Sequence, residues 1–297
     1  MEITSHTTPV GLLGRPVAHS KSPQIMNAAF RERNLPFVYL AFDVGEEELA
    51  DAVAGMGALG FRGFNVTIPH KVAVMDYLDE VEEAAEAIGA VNTVIRDGSR
   101  WVGTNTDGAG YIRSLMQESG FDPKGESVTL IGAGGAARAV GYALARAGAN
   151  RVTVVNRTTS KAEELAARLS RWTRAEGAPP ERLEEALKRS SLVVQTTSVG
   201  MHPQINGSVI PEKWLRPGLL VSDLVYHPRE TRLLRDAREA GAKTHEGLGM
   251  LVHQAALAFE RWTGTEAPAD RMRNRLEASL DTDSAVGHSN GQKEGAT

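Results

Sequence analysis

Cysteine is missing altogether from the 297 residues of this chain. That excludes disulfides, thiolate nucleophiles and cysteine-held metals, leaves no metal site to expect, and fits a reducing, cytoplasmic setting. Basic charge is also in short supply. Lys and Arg number 33 against 37 Asp and Glu, a net charge of −4, so no basic field is offered to nucleic acid. No apolar run approaches the ~18 residues of a membrane span. The first residues lack the basic-then-apolar order of a signal peptide. The last stretch, DTDSAVGHSNGQKEGAT, has no periodicity and reads as a disordered tail over 281–297.

What is present is alternation. PVGLLG, FVYLAFDV, FRGFNVTI and GAVNTVI read as strands. Between them lie a helix from Pro23, the helix GEEELADAVAGM and a helix after Pro69. Further on, SLVVQTTSVGM and GLLVSDLVY are continuous apolar runs, as expected of strands buried on both faces. This order predicts an α/β protein with mostly parallel sheets in two domains. Residues 1–106 with 247–280 make a discontinuous substrate domain, and 107–246 a Rossmann-type domain. In GLGMLVHQAALAFERWTG, residues Leu248, Leu251, Ala255, Phe259 and Trp262 share one apolar helix face, which predicts a return to the first domain.

The peptide VTLIGAGGAARA joins a β-branched run, a glycine turn and an alanine-rich helix. Gly132 and Gly134 let the backbone turn tightly and approach a pyrophosphate, and Ala137 takes the close-packing third position. The free N–H groups of the following helix face that anion. The next strand, RVTVVNRT, ends in Asn156, Arg157 and Thr158, with Lys161 behind, where an NAD protein has an acid. A guanidinium there suits a 2′-phosphate, so NADP is the expected cofactor. Ser160 followed by Glu163 reads as a capping box.

Three further peptides could carry chemistry. In HSKSPQ, Ser22 reads as an N-cap with Pro23 at the first helical position, and Ser20, without a structural task in that account, points to a small carboxylate. In GFNVTIPHK a helix beginning near Pro69 puts Lys71 in its first turn, where an ammonium opposes the helix dipole and suits proton transfer. His70 is equally available on paper, with nothing nearby to orient it. Asn92, Asn105, Thr106 and Asp107 fall where strands end, the usual place for ligands on open α/β sheets. An aspartate near Lys71 would act against the dipole, and the balance of the two stays open. On the residues alone Tyr226 reads as core and Gln254 as a polar residue flanking an apolar stripe, ahead of a contact role for either.

Taken together, GRPVAHSKSP, GFNVTIPHK, GAVNT, NTDG, GAGGAARA, NRT, TSVGM, DLVY and GLGMLVHQAALAFERW resemble the shikimate dehydrogenase family, in its order, from about Val10 to Trp262. The resemblance implies reversible reduction of 3-dehydroshikimate by NADPH in aromatic amino-acid biosynthesis. It makes Ser20 and Ser22 the carboxylate ligands, Lys71 the acid–base group and Asp107 its partner. Thr67, Asn92, Tyr226 and Gln254 match contacts to the substrate's ring hydroxyls, with Asn65 in support. Gly132, Ala133, Gly134, Gly135 and Ala136 match the pyrophosphate loop, and Asn156, Arg157, Thr158 and Lys161 the adenosine-phosphate pocket. Leu224 and Gly247 match backbone contacts near the nicotinamide, and Glu83 a position near the cofactor. Lys161 departs from the arginine of many members, keeping charge without the planar fork. Within the family a quinate/shikimate dehydrogenase is the alternative; outside it, a ligand-sensing relative without chemistry. Oligomeric state stays open, a homodimer included.

Overall fold

The computed structural model describes residues 2–290. In chain order the first elements are β1 (Thr8–Gly14), α1 (Ser22–Glu32), β2 (Phe37–Asp43), α2 (Leu49–Ala58), β3 (Gly63–Val66), β4 (Glu80–Val81), α3 (Glu83–Ile88), β5 (Thr93–Asp97), β6 (Arg100–Thr104) and α4 (Asp107–Ser119). Then come β7 (Ser127–Ile131), α5 (Gly135–Arg146), β8 (Arg151–Val155), α6 (Thr159–Leu169), β9 (Arg174–Ala178), α7 (Leu183–Arg189) and β10 (Leu192–Gln195). The chain continues through β11 (Leu220–Asp223), α8 (Arg232–Glu239), β12 (Lys243–His245), α9 (Leu248–Thr263) and α10 (Ala269–Asn290). It divides into two compact units: Met1–Glu82, Val91–Thr104 and Ala255–Thr297 in one, Glu83–Ala90 and Asn105–Gln254 in the other.

The first unit holds a sheet in the order β2-β1-β3-β5-β6-β4. β1 runs parallel to β2 and β3, while β5 is antiparallel to both its neighbours. Both of the sheet's faces are covered, with Val10, Leu12, Leu13, Phe64 and Val94 all buried. Trp262 at the end of α9 is buried against this sheet and donates from Nε1 to Val94 O at 3.0 Å. Such burial of an indole requires a partner for its N–H.

The second unit holds the order β12-β11-β10-β7-β8-β9, with every pairing parallel. This is the doubly wound order, with the crossover reversing between β7 and β10. The strands β10 and β11 are buried throughout, as continuous apolar runs require. The strands β4, β6, β9 and β12 were not read from sequence. β9 (RAEGA) and β12 (KTH) are polar edge strands, which protect a sheet rim with charge instead of an apolar pattern.

Four local expectations are corrected. No α-helix begins at Pro69. Residues 68–72 form turns, followed by a 3₁₀ helix at Ala73–Tyr77. The Lys71 carbonyl, which a helix would give to residue 75, accepts the Val91 N–H at 2.8 Å instead. The dipole argument for Lys71 therefore falls away. Helix α1 takes Lys21 as N-cap, so Ser22 and Pro23 are already inside it. Helix α6 takes Thr158 as N-cap, ahead of the expected capping box at Ser160. Residues 281–290 of the expected tail continue α10, because a helix already packed through Met272 and Leu276 extends at little cost. Residues 291–297 of that tail lie outside the described residues.

Candidate active-site residues

In the first unit the polar residues converge on one buried hydroxyl. Tyr39 stands among the apolar residues of β2, ahead of its terminal Asp43, and is 1% exposed. Burial pushes its phenol up, against a hydrogen bond from Ser22, so the hydroxyl stays protonated. It donates to Asn65 Oδ1 at 2.8 Å. Asn65 Nδ2 in turn donates to Asn92 O at 3.1 Å and to Thr93 Oγ1 at 3.0 Å. Thr93 Oγ1 in turn donates to Asn92 Oδ1 at 3.0 Å. Ser22, Asn65 and Asn92 thus belong to one net, built on α1, β2, β3 and β5.

Ser20 joins it through the backbone: its Oγ accepts the Ser22 N–H at 3.3 Å. This is the structural task that sequence reasoning did not find for it. Thr67 follows β3 directly, its N–H bonded to Leu13 O at 2.9 Å, and Lys71 is half-buried four residues on. His70 does not stand loose. It is 1% exposed, with Nε2 held 2.8 Å from Val44 O.

In the second unit the glycine turn forms as the fingerprint requires. Gly132 has φ +114, and a β-carbon there would collide with Thr196 Oγ1. Over Gly134 and Gly135 a β-carbon would meet nothing within 4 Å, so the start of α5 faces open space. Backbone N–H groups at such a terminus suit a pyrophosphate. Asn156 Nδ2 donates to Thr158 O at 2.9 Å, closing the turn after β8 and leaving Arg157 and Lys161 exposed. These residues fit an NADP dinucleotide.

Helix α4 opens with Asp107, whose N–H donates to Asn105 Oδ1 at 3.1 Å, while Asn105 Nδ2 holds Ala90 O at 2.9 Å. A carboxylate in a first helical turn complements the dipole. Gln254 on α9 is brought against α4, since a β-carbon on Gly110 would stand 2.5 Å from its backbone N. Leu224 and Gly247 are likewise joined: a β-carbon on Gly247 would strike the Leu224 carbonyl. Tyr226 lies on the loop after β11, 37% exposed.

Glu83 is not brought to the glycine turn. It pairs with Arg146 at 3.7 Å, and Arg146 closes the helix that the turn opens. At 1.5 Å per residue the two ends of α5 are roughly 16 Å apart.

A buried chain beneath α4 also escaped the sequence reading. Tyr111 donates to Ser222 Oγ at 3.2 Å, and His245 joins Ser222 (Nδ1, 2.9 Å) to Ser114 (Nε2, 2.8 Å). Ser114 donates to Glu118 Oε1 at 3.0 Å. Beside it Asp223, fully buried, accepts from Thr231 Oγ1 at 2.7 Å and from the Val225 N–H at 3.0 Å. Burial raises its carboxyl to about 6 despite these two bonds. A lone acid at the end of an apolar strand is the available signal for such a staple.

Family models match along the chain: a shikimate dehydrogenase substrate binding domain at residues 12–94, shikimate / quinate 5-dehydrogenase at 114–215, and a shikimate 5'-dehydrogenase C-terminal domain at 247–277. A relative from Methanopyrus kandleri, named shikimate dehydrogenase (NADP(+)), is 48% identical over 93% of this chain and 97% of its own. A crystal structure of a shikimate dehydrogenase in complex with NADP+ superposes with a TM-score of 0.88 at 40% identity, covering 94% of this chain and 98% of that one. The Listeria monocytogenes shikimate 5-dehydrogenase, solved with shikimate and NAD, gives 0.89 at 41% identity over 93% of this chain and 98% of its own. No helix among the described residues is long and apolar enough to cross a membrane. With these matches across both units, the chain belongs to the shikimate dehydrogenase family.

Proposed function

We propose that this chain reduces 3-dehydroshikimate to shikimate, reversibly, with NADPH as cofactor. One observation carries the reading: the hydrogen-bonded net of Ser22, Tyr39, Asn65, Thr93 and Asn92, which suits a small carboxylate bearing ring hydroxyls. Ser20 and Ser22 bind the carboxylate. Thr67, Asn92, Tyr226 and Gln254 take the ring oxygens, and Asn65 supports them. The dinucleotide, when bound, supplies the hydride.

Lys71 donates the proton to the oxygen that gains charge as the carbonyl is reduced, and Asp107 holds its ammonium and the neighbouring hydroxyl in register. Proton transfer of this kind is worth about 10²–10⁴ in rate. Gly132, Ala133, Gly134, Gly135 and Ala136 receive the pyrophosphate, and Asn156, Arg157, Thr158 and Lys161 the adenosine phosphate. Leu224 and Gly247 contact the nicotinamide through their backbones. The cysteine-free composition supports a cytoplasmic setting, and sedimentation velocity reads whether a homodimer forms.

The test follows the absorbance of reduced nicotinamide with purified protein and 3-dehydroshikimate. Lys71→Ala is expected to lower kcat by about 10²–10⁴ while NADPH affinity holds. Turnover equal to wild type in that variant would remove Lys71 from the reaction. A wild-type protein preferring quinate would redirect the substrate assignment.

A further inference from the structure

Arg138 is a cation that none of these roles uses. It lies one turn into α5, its N–H bonded to Gly134 O at 3.0 Å. With Ala133, Gly134, Lys161, Glu164 and Arg168 it lines a cavity of about 250 Å³. The cavity's lining includes Gly134, the N-cap of α5, and so reaches the turn that fits a pyrophosphate. Its Nε is buried without a hydrogen-bond partner among the described residues. Gly89 shows how closely a second guanidinium approaches. A β-carbon there would stand 3.6 Å from Nη1 of Arg138 and 3.3 Å from Nη1 of Arg168. Glu164 meets Arg168 at 3.1 Å, leaving the charges of Arg138 and Lys161 to be balanced from outside.

We propose that Arg138 binds the 2′-phosphate of the dinucleotide together with Lys161, and so sets the preference for NADP over NAD. The inference rests on the NADP reading above. A phosphate monoester carries nearly two charges near neutral pH and accepts paired hydrogen bonds from a planar guanidinium. Lys161 is a point charge and cannot supply that fork. Arg157 offers one from the exposed turn after β8, and Arg138 adds a second, part-buried one from the neighbouring helix.

The test compares wild type, Arg138→Ala and Arg138→Lys in two measurements. Calorimetry reads the affinity for 2′,5′-ADP and for 5′-AMP, and steady-state rates read NADPH against NADH. Loss of a charge-assisted bond predicts about 10- to 100-fold weaker 2′,5′-ADP binding by Arg138→Ala, with 5′-AMP binding and NADH rates unchanged. Arg138→Lys falls between the two. An equal loss for both nucleotides, or no loss for 2′,5′-ADP, overturns the proposal. A wild-type protein inactive on 3-dehydroshikimate that still loses 2′,5′-ADP selectively through Arg138→Ala would remove the substrate reading and keep this one.

Discussion

Gly110 of α4 and Gln254 of α9 meet backbone to backbone: a β-carbon on Gly110 would stand 2.5 Å from Gln254 N and 2.8 Å from its Cα. Farther along the same pair, a β-carbon on Gly249 would strike Ser114 and Glu118. The helices therefore run antiparallel at close quarters, and the register of Gln254 against the helix opened by Asp107 is set by absent side chains.

Gly110→Ala should cost about 1–3 kcal/mol, because neither backbone can yield. The same exchange at Gly55, inside α2 with nothing within 4 Å of the added carbon, should stabilise by roughly 0.5–1 kcal/mol through helix propensity. Urea midpoints of the two variants check the opposite signs.

Gly132→Ala faces both a left-handed backbone at φ +114 and a collision with Thr196 Oγ1, which is itself tied to Ile131 O at 2.8 Å. Strain of about 1–3 kcal/mol is expected at the turn. Fluorescence titration should show weaker NADPH binding, and an unchanged affinity would mean that the turn does not receive the cofactor.

Asp223 makes stability depend on pH. Its carboxyl titrates at about 6 in the fold, against 3.8 as its ordinary value, because burial disfavours the charged form. The native state therefore holds this proton more tightly than the unfolded chain does. The resulting stabilisation is complete below pH 3.8 and is lost as pH rises through about 6. Its size is roughly 3 kcal/mol. In Asp223→Asn the contribution vanishes, so the stability of wild type relative to the variant should fall between pH 4 and 7. Parallel pH profiles for the two proteins would refute the assignment.

Glu83→Gln should change little. The Glu83 side chain is 77% exposed and its pair with Arg146 is a surface one, worth about 0–1 kcal/mol. The KM for NADPH should match wild type. A raised KM would bring Glu83 back as a cofactor contact.

The sequence shows most of the second unit, because a continuous apolar strand followed by glycines and a helix has one common physical use. The edge strands β9 and β12 are hidden by their polarity, and β4 by its two-residue length. Among site residues, the type and order of Ser20, Ser22, Lys71 and Asp107 are legible. Their settings are not. Whether Lys71 begins a helix depends on where its carbonyl bonds, and Val91, twenty residues away, decides that. Tyr39 reads as one more apolar strand residue until its hydroxyl is seen on Asn65. His245 and Ser222 are invisible as a pair, because nothing in a linear pattern joins β11 to β12 and α4.

The proton order around Tyr39 has a polarity. Its phenol can only give to Asn65 Oδ1, which turns the Asn65 amine toward Thr93 and sends the Thr93 hydrogen to Asn92 Oδ1. The Asn92 amide is thereby oriented with its oxygen toward Thr93. A tyrosine deep in the sheet thus fixes, three links off, which way an asparagine side chain is turned.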